Sequence, residues 1–443
     1  MKQEQFLDVL APDAARAAWH ARLDLAPRET EPVALEAALG RVVASDVAAA
    51  GDVPAFDRSN VDGWAVRAED TFGADERTPV LLRPASEAVA AGRAPQGEVG
   101  PGETIAIATG AVVPRGADAV VMVEDTELDE EGRVRVTRPA VPGARISAAG
   151  SDMTRGEVVV RAGTLLSARE TGTLATCGIA RVPCVRRPRV AVISTGDEIV
   201  PPGAALAPGQ VHDANATLVA DAVRELGAEP VVVGIVGDDE ARMRAVLDDA
   251  LARCDAVLLS GGTSKGQGDV TQRAVAARCE VAAHGVALKP GKPLCLAAAE
   301  GKPVVILPGF PTSAIFTFHA FVAPVLRRLL GLRERATTSV RARVPRRLAS
   351  EVGRTEFTLV GLVRGREGLL AYPLGGGSGS VTTFAKADGF FETAADTEYV
   401  AAGETVDVTL LGRDVEPADL VVVGSHCVGL DVLVRALARR GLT

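Results

Sequence analysis

Carboxylates follow three of the predicted strands at the points where those strands end. Glu198 closes the run Ser-Thr-Gly-Asp-Glu after the first strand, Asp238 and Asp239 follow the second, and Asp269 ends a glycine-rich stretch (residues 260–269) after the third. In an open parallel sheet, ligands bind beyond the carboxyl ends of the strands. Four carboxylates at one sheet edge would repel one another unless a hard cation such as Mg²⁺, shared with substrate phosphates, lay among them. The alternative is helix N-capping, which Asp238 and Asp269 fit by position.

Three segments near the same edge have the composition of oxyanion-binding sites. The glycine-rich stretch leads into a helix whose free N–H groups suit a phosphate, although Gly follows Lys265 and the stretch is therefore not a Walker A loop. Lys289 and Lys292 lie three residues apart in Lys-Pro-Gly-Lys-Pro and could clamp an oxyanion. Residues 308–313 open a long helix and offer a further N-terminal anion site. The alternative for the glycine-rich stretch is a plain turn, and the alternative for the two lysines is solvation. For residues 308–313 it is simple helix capping.

Polar loops in the N-terminal half are weaker candidates. Residues 56–65 contain Asp57 and Asp62, which could accept hydrogen bonds from the N–H edge of a heterocycle. Composition alone favours a structural turn for this loop, and the same holds for the polar turns at Thr109 and Asp152.

Composition excludes several classes of protein. The chain has 443 residues with 48 Lys and Arg against 57 Asp and Glu, and no basic block, so we expect no nucleic-acid or anionic-membrane partner. The six cysteines form no C-x-x-C motif and are interpreted as reduced core thiols. The five histidines have no metal-ligand spacing, and no G-x-S-x-G occurs, which excludes zinc and serine hydrolases. Apolar runs stay shorter than the ~18 residues of a membrane span, so we expect a soluble, cytoplasmic protein.

The elements that must position these residues are clearest from residue 189 onward. Apolar strands alternate there with amphipathic helices, which predicts βαβ units in a doubly wound, mostly parallel α/β domain. The predicted strands are residues 190–194, 231–236, 256–260, 286–288, 294–297 and 304–307, and the predicted helices are residues 217–226, 240–253, 270–278 and 312–330.

The flanking regions have different patterns. Residues 3–25 and 33–43 carry apolar residues at helical spacing and predict two opening helices, followed by short β-rich runs over about 53–150 and a helix around 167–176. After residue 331, short strands with glycine turns predict a small β-barrel or sandwich. The last stretch predicts one strand (residues 420–423) and one helix (residues 430–437).

Together these segments resemble the molybdopterin molybdenumtransferase family, called MoeA in bacteria and matching part of gephyrin in animals. The resemblance covers about residues 4–411. It is carried by six motifs in order: PAFDRSNVDGWAVRA (residues 54–68), IATGAVVPRGADAVVMVED (107–125), STGDE (194–198), SGGTSKGQGD (260–269), KPGKP (289–293) and LPGFPTSA (307–314).

The resemblance implies a multidomain α/β plus β architecture. Its centre is a doubly wound α/β domain of molybdopterin-binding type (residues 183–331), with a β-rich inserted domain (51–144), a discontinuous helical and extended N-terminal domain (1–50 and 145–182) and a small C-terminal β-barrel (337–412). The implied reaction is insertion of molybdate into adenylylated molybdopterin with release of AMP, assisted by Mg²⁺, in an elongated homodimer. The molybdopterin adenylyltransferase is a further partner that the resemblance allows.

The family's functional residues map onto individual positions of this chain. The implied catalytic residues are Asp62, Glu198, Asp269 and Lys289. The implied metal ligands are Glu198, Asp269 and either Asp238 or Asp239. The implied substrate-binding residues are Thr109, Asp152, Ser194, Thr195, Gly196, Gly261, Gly262, Ser264, Lys292, Pro308, Gly309, Thr312, Ser313, Arg354 and Ser380.

The chain departs from the family pattern at three positions. Trp64 stands where Tyr is usual, Ser151 replaces a commonly acidic residue, and Leu359 stands where many members have Arg, which weakens the case for anion binding there. The tail (residues 413–443) resembles the first βα unit of a truncated periplasmic-binding-protein-like domain, and a helix docked on the core is the alternative.

Two other functions remain open on the sequence alone. Relatives that consist of the α/β domain adenylylate molybdopterin with ATP, and the gephyrin resemblance allows a non-catalytic scaffold. Consumption of ATP or release of AMP distinguishes the two enzymes.

Overall fold

The computed structural model describes residues 9–261, 270–332, 339–375, 381–411, 415–420, 422 and 427–441. Two compact units are present, one formed by the chain up to Glu29 together with Val185 onward, and the other by Thr30–Cys184. Helix α1 (Pro12–His20) belongs to the first unit: Ala15 and Trp19 are fully buried in the core of the α/β domain, and Trp19 Nε1 donates to Ala297 O at 2.7 Å. The predicted first helix is confirmed over this range. The domain boundaries given above stay predictions.

The unit Thr30–Cys184 consists mainly of short strands. Six of them form a sheet in the order β7-β4-β6-β5-β9-β8, and the remaining six form three two-stranded pairs, β1 with β12, β2 with β11 and β3 with β10. Their bounds are β1 Thr30–Ala34, β2 Val47–Ala48, β3 Arg58–Ser59, β4 Gly63–Val66, β5 Val80–Val89, β6 Glu103–Ile107, β7 Ala119–Met122, β8 Thr126–Leu128, β9 Val134–Val136, β10 Ile146–Ser147, β11 Val158–Val160 and β12 Arg181–Val185.

The helix predicted over residues 33–43 is wrong. The segment instead contains the end of β1 and one 3-10 turn, Leu35–Ala37. Gly40 lies at φ +72, outside the helical region, and its N–H donates to Leu166 O at 2.9 Å. Val43 N likewise donates to Thr164 O at 3.0 Å, so the backbone finds its partners in a distant segment. Helix α2 (Ala168–Thr176) is confirmed, and the Ser167–Glu170 capping box begins it.

The α/β domain has a six-stranded sheet in the order β16-β13-β17-β21-β20-β18, with the first four strands parallel. Side chains of β13 alternate between two cores: Val190 and Val192 enter one cluster, and Ala191 and Ile193 enter the other. Both faces of the sheet are therefore covered, and the doubly wound prediction is confirmed. The bounds are β13 Arg189–Thr195, β14 Ile199–Val200, β15 Val211–His212, α3 Ala214–Glu225, β16 Glu229–Val236, α4 Glu240–Arg253, β17 Ala256–Ser260, α5 Val270–Arg278, β18 Glu280–His284, β19 Leu288–Lys289, β20 Cys295–Ala299, β21 Lys302–Leu307, α6 Pro311–Thr317 and α7 Ala323–Leu329.

Two details of the α/β prediction differ. Residues 286–288 do not add a strand to this sheet; the edge strand is β18, and β19 pairs with a strand of the C-terminal domain. The long helix predicted over residues 312–330 is divided by a π-helical turn, Phe318–Val322, between α6 and α7. Pro324 lies just after this turn, and its ring and missing N–H do not fit a continuous α-helix.

The C-terminal domain is a small barrel, as predicted. Its strands run in the order β24-β25-β22-β28-β26, and pairing between β24 and β26 closes the ring. The bounds are β22 Ser339–Arg343, β23 Leu348–Ala349, β24 Thr355–Gly365, β25 Gly368–Pro373, α8 Val381–Ala385, β26 Gly389–Thr393, β27 Tyr399–Val400, β28 Thr405–Leu410 and, in the tail, α9 Val428–Ala438.

The tail differs from its prediction. Helix α9 is present and none of its residues is buried, while Leu420 and Val422 are not in a strand and residues 421 and 423 lie outside the described part of the chain. Over the described ranges, no helix combines the length and the apolar content needed to span a membrane.

Candidate functional site

The carboxyl ends of the parallel strands meet at one edge of the α/β sheet. Ser194 of β13 is in register with Ser260 of β17, and Ser260 is in register with Leu307 of β21. On the other side, Thr195 is in register with Val236 of β16. The loops that the sequence singled out after these strands therefore begin side by side, as expected for a parallel sheet.

Asn215 joins two of these loops, and sequence reasoning missed it. Its Nδ2 donates to Ser260 Oγ at 2.6 Å and to the carbonyl oxygen of Gly309 at 2.7 Å. Asp213 begins α3 by accepting from Ala216 N at 2.9 Å, which places Asn215 in the first turn, facing the sheet edge. The pattern Asp-Ala-Asn at a helix start reads as ordinary capping, so the sequence gives no signal for the role of Asn215.

Close backbone approach holds the loops after β13 and β17 against each other. Gly261 has φ +104, and a Cβ atom there would overlap the carbonyl oxygen of Thr195 and lie 2.9 Å from Thr195 Oγ1. Thr195 Oγ1 donates to Ser260 O at 3.3 Å. A side chain at position 261 would push these strand ends apart, so the glycine is required by both conformation and space.

Two buried polar atoms at this edge have no hydrogen-bond partner among the described residues. Ser194 Oγ and Asn215 Oδ1 are inaccessible to solvent and form no hydrogen bond with the described residues. Buried polar groups are nearly always hydrogen-bonded, and each exception requires an explanation. A ligand with hydrogen-bonding groups, seated among the strand-end loops, would satisfy both atoms.

The acidic side chains after β13 and β16 lie near one another. Burial raises the pKa of Asp238 above its usual value, and the negative charges of Asp197 and Glu198 raise it further. Asp197 Oδ1 also accepts from Asp238 N at 3.1 Å. Asp239 points elsewhere and caps α4 by accepting from Arg242 N at 3.0 Å. Capping is thus the role of Asp239, and Asp238 is the second carboxylate of the cluster.

These residues alone do not complete a metal site. Across the ranges that the structure describes, no three His, Cys, Asp or Glu side chains are arranged to hold one ion. Asp269, the remaining carboxylate of the predicted set, lies outside the described residues, as do Gly262, Ser264 and Ser380. The pKa of Asp238 is raised first by burial and then by the charges of Asp197 and Glu198, and a bound cation would relieve this repulsion between carboxylates. Carboxylate oxygens are also the ligands that Mg²⁺ prefers, so the donor set fits Mg²⁺ in its chemistry.

The Lys-Pro-Gly-Lys-Pro loop contacts the C-terminal barrel. Strand β19 pairs in parallel with β24, with Lys289 in register with Glu356. Lys289 Nζ lies 3.1 Å from Glu356 Oε1 and 3.7 Å from Glu351 Oε2. Arg354 Nη1 lies 3.2 Å from Glu351 Oε1. The structure thus brings together Lys289, of the predicted oxyanion clamp, and Arg354, a predicted substrate-binding residue, and adds two glutamates that the sequence did not indicate.

The loop between β21 and α6 lies at the same sheet edge, where Asn215 contacts Gly309. Pro308, Thr312 and Ser313 are buried, and Gly309 is exposed. Pro311 begins the helix, and no side chain caps it. Gly309 is the exposed residue among them, and its carbonyl oxygen accepts the hydrogen bond from Asn215 Nδ2.

The predicted residues of the other unit include one direct contact. Asp62 Oδ1 accepts from Thr109 N at 2.8 Å, and both residues are exposed. Gly63 cannot carry a side chain, because a Cβ atom there would overlap Val121 O in the adjacent strand. Asp152 is exposed, and its N–H donates to Val53 O at 3.0 Å. This loop is therefore a structural turn that also presents a carboxylate to solvent.

Family models match the chain in three consecutive segments. The MoeA N-terminal region (domain I and II) matches residues 10–178, a probable molybdopterin binding domain matches residues 191–328, and the MoeA C-terminal region (domain IV) matches residues 341–411. The second segment extends from within β13 through β21 and therefore includes all the strand-end loops described above.

Individual relatives extend over most of the chain. Molybdopterin molybdenumtransferase 2 of Mycobacterium tuberculosis is 37% identical over 382 residues, covering 85% of this chain and 94% of the relative. Molybdopterin molybdenumtransferase of Bacillus subtilis is 35% identical over 392 residues, covering 87% and 91%. A crystal structure of the molybdopterin biosynthesis MoeA protein from Pyrococcus horikosii has a TM-score of 0.81 and 41% identity, covering 91% of this chain and 99% of that one.

Fold and site together define a multidomain protein built around an α/β domain of the molybdopterin-binding type. The regions before and after this domain match the N-terminal and C-terminal regions of MoeA. The chain belongs to the MoeA family.

Proposed function

We propose that this chain is a molybdopterin molybdenumtransferase, which inserts molybdate into adenylylated molybdopterin and releases AMP. The observation that carries the proposal is the group of strand-end loops tied together by Asn215, with Ser194 Oγ and Asn215 Oδ1 buried and lacking partners among the described residues. These loops lie in the segment that matches a probable molybdopterin binding domain. Relatives at 35–37% identity carry the name of this enzyme.

The chain's own residues divide the work between binding and charge compensation. Ser194, Thr195, Gly196 and Gly261 would seat the molybdopterin end of the substrate, since their hydroxyl and backbone groups lie at adjacent strand ends. Lys289, Lys292 and Arg354 would bind molybdate and stabilise negative charge that develops as the phosphoanhydride breaks. The dithiolene sulfurs that receive the metal belong to the substrate, so the protein needs no nucleophile of its own.

Mg²⁺ is part of the proposal. When bound, it would neutralise phosphate charge and orient the anhydride for cleavage. Glu198 and Asp238, with Asp269, would hold it, and Asp197 would support Asp238 through the backbone hydrogen bond. Asp62 and Thr109 would contribute to the pterin side of the reaction.

The proposal extends to assembly and location. We expect a cytoplasmic homodimer that receives adenylylated molybdopterin by contact with the adenylyltransferase that makes it. Sedimentation velocity of the full chain tests the dimer: a species of one chain mass at micromolar concentration contradicts it.

The decisive experiment incubates the full chain with adenylylated molybdopterin, Mg²⁺ and molybdate, and follows AMP by chromatography and molybdenum retained on the pterin. Release of AMP that requires molybdate supports the proposal. Glu198→Ala should abolish release, whereas Glu225→Ala, an exposed glutamate of α3, should not. Consumption of ATP with molybdopterin, and no AMP release from the adenylylated substrate, would instead identify an adenylyltransferase.

A further inference from the structure

Two glutamates pair with the cations proposed to bind the oxyanion. Glu351 bridges Arg354 and Lys289, at 3.2 Å and 3.7 Å, and Glu356 pairs with Lys289 at 3.1 Å. Two positive and two negative charges thus form one compensated group. Lys292, three residues after Lys289, forms no ion pair within the described part of the chain.

The two glutamates differ in how firmly they are held. The side chain of Glu356 is 18% exposed, lies within β24, and accepts hydrogen bonds from Ser350 Oγ at 3.2 Å and Glu351 N at 3.3 Å. The side chain of Glu351 is 47% exposed and precedes the strand. Exposed ion pairs contribute little stability, so Glu351 can leave its partners at small cost.

The departure of Glu351 would change the net charge of this group. With both glutamates in place, Lys289 and Arg354 offer no net charge to an anion. When Glu351 turns to solvent, Arg354 is released and Lys289 keeps only Glu356, so the group gains one positive charge. A tetrahedral dianion such as molybdate could then take the place of the carboxylate, since both present oxygen acceptors to the same donors.

We propose that Glu351 is an internal competitor of the oxyanion substrate: its carboxylate and the oxyanion bind Lys289 and Arg354 in turn. Glu356 is the positioning residue that keeps Lys289 in register with β24 while this exchange occurs. The competition sets the oxyanion concentration at which the site fills, and it discriminates against anions too weakly charged to displace a carboxylate. The inference rests on the proposed function, because it assigns the oxyanion to these cations.

Glu351→Gln tests the proposal, since glutamine preserves the shape of the side chain and removes its charge. Losing one competing negative charge beside a dianion should lower the half-saturating molybdate concentration by roughly three- to tenfold. The maximal rate of AMP release should stay within about twofold, because Glu351 is absent from the filled site. Salt should weaken the difference between the variant and the wild type.

The matched control is Glu367→Gln, which removes a glutamate of the same barrel from its ion pair with Arg343. Half-saturation should not change in this variant. Thermal melting of both variants verifies that they fold, and tungstate and sulfate titrations extend the comparison to other dianions. An unchanged or higher half-saturating molybdate concentration in Glu351→Gln would overturn the inference.

Failure of the proposed function gives a different result. Equilibrium titration with molybdate alone, without the pterin substrate, measures oxyanion binding directly. If the wild type releases no AMP but binds molybdate, and Glu351→Gln binds it more tightly, the competitor role stands and the enzymatic proposal fails. If none of the proteins binds molybdate, the competitor role is refuted.

Discussion

Replacing Asn215 by alanine should lower the free energy of unfolding more than replacing an exposed residue of the same helix does. The change removes two donors, to Ser260 Oγ at 2.6 Å and to Gly309 O at 2.7 Å, from a side chain that is 8% exposed. A buried acceptor left without its partner costs about 1–3 kcal/mol. The full cost applies to Ser260 Oγ, which is buried, whereas Gly309 is exposed and its carbonyl oxygen can turn to water. Alanine also regains a few tenths of a kcal/mol of helix propensity and removes Oδ1, which has no partner among the described residues, so the net loss should be about 1–3 kcal/mol.

The assay follows urea unfolding by tryptophan fluorescence in a Trp64→Phe background. Trp19 is then the only tryptophan, and it is fully buried in the α/β domain, so the signal reports on the domain that contains Asn215. Asp221→Ala is the control, because Asp221 lies in the same helix and its ion pair with Arg224 is exposed, so its loss should cost less than about 0.5 kcal/mol.

Activity provides a second measurement on the same variant. The loops that begin at Ser260 and Gly309 should lose their relative position, and the kcat/KM for adenylylated molybdopterin should fall by at least about tenfold, as expected when the loops that seat a substrate shift. Equal stabilities of Asn215→Ala and Asp221→Ala would refute the argument that these two hydrogen bonds hold the loops together.

Three further predictions concern other parts of the chain. In Gly261→Ala, a φ of +104 combines with overlap on Thr195, and the free energy of unfolding should fall by about 3 kcal/mol or more. In the control Gly353→Ala, φ is +93 but no atom lies within 4 Å of the Cβ position, and the fall should be only about 1–2 kcal/mol. Equal falls measured by urea unfolding would contradict the crowding at position 261. Asp238 has a raised pKa, owing first to burial and then to Asp197 and Glu198, so its ionisation opposes folding and its contribution to stability is lost as the pH rises through that raised value. Asp238→Asn should therefore melt above the wild type at pH 7, with the gap closing towards pH 4 and with Mg²⁺ raising the Tm of the wild type more; a lower Tm for the variant at pH 7 would rule this out. Burial lowers the pKa of His319 to about 4, so its neutral form contributes stability above pH ~6.5 that is lost as the pH falls towards 4. His319→Gln should flatten the dependence of the urea midpoint on pH in that window, and an unchanged slope would argue against a neutral buried imidazole.

Local patterns were sufficient to predict most elements of the α/β domain. Helix α4 (Glu240–Arg253) and strand β17 (Ala256–Ser260) occur with the bounds read from the sequence, because their apolar spacing and flanking residues determine them locally. The same patterns located Ser194, Ser260 and Leu307 at strand ends, where the parallel register brings the following loops together.

Partners distant in the chain could not be predicted in this way. Glu351 and Glu356 reach Lys289 only because β19, two residues long, leaves its own domain's sheet to pair with β24. Asn215 resembles a capping residue, and its two acceptors lie 45 and 94 residues away. Residues 33–43 have the spacing of a helix, but pairing with residues 164–166 overrides that local preference.

The hydrogen bond from Trp19 to Ala297 has a consequence for how the protein is made. Its two residues are 278 positions apart in the chain. A ribosome synthesises Trp19 long before Ala297, so helix α1 must wait, with an apolar face uncovered, while all of Thr30–Cys184 is synthesised and free to fold. Helix α1 is therefore synthesised early and buried late, because the strand that contains Ala297 must be made before the core around Trp19 can close.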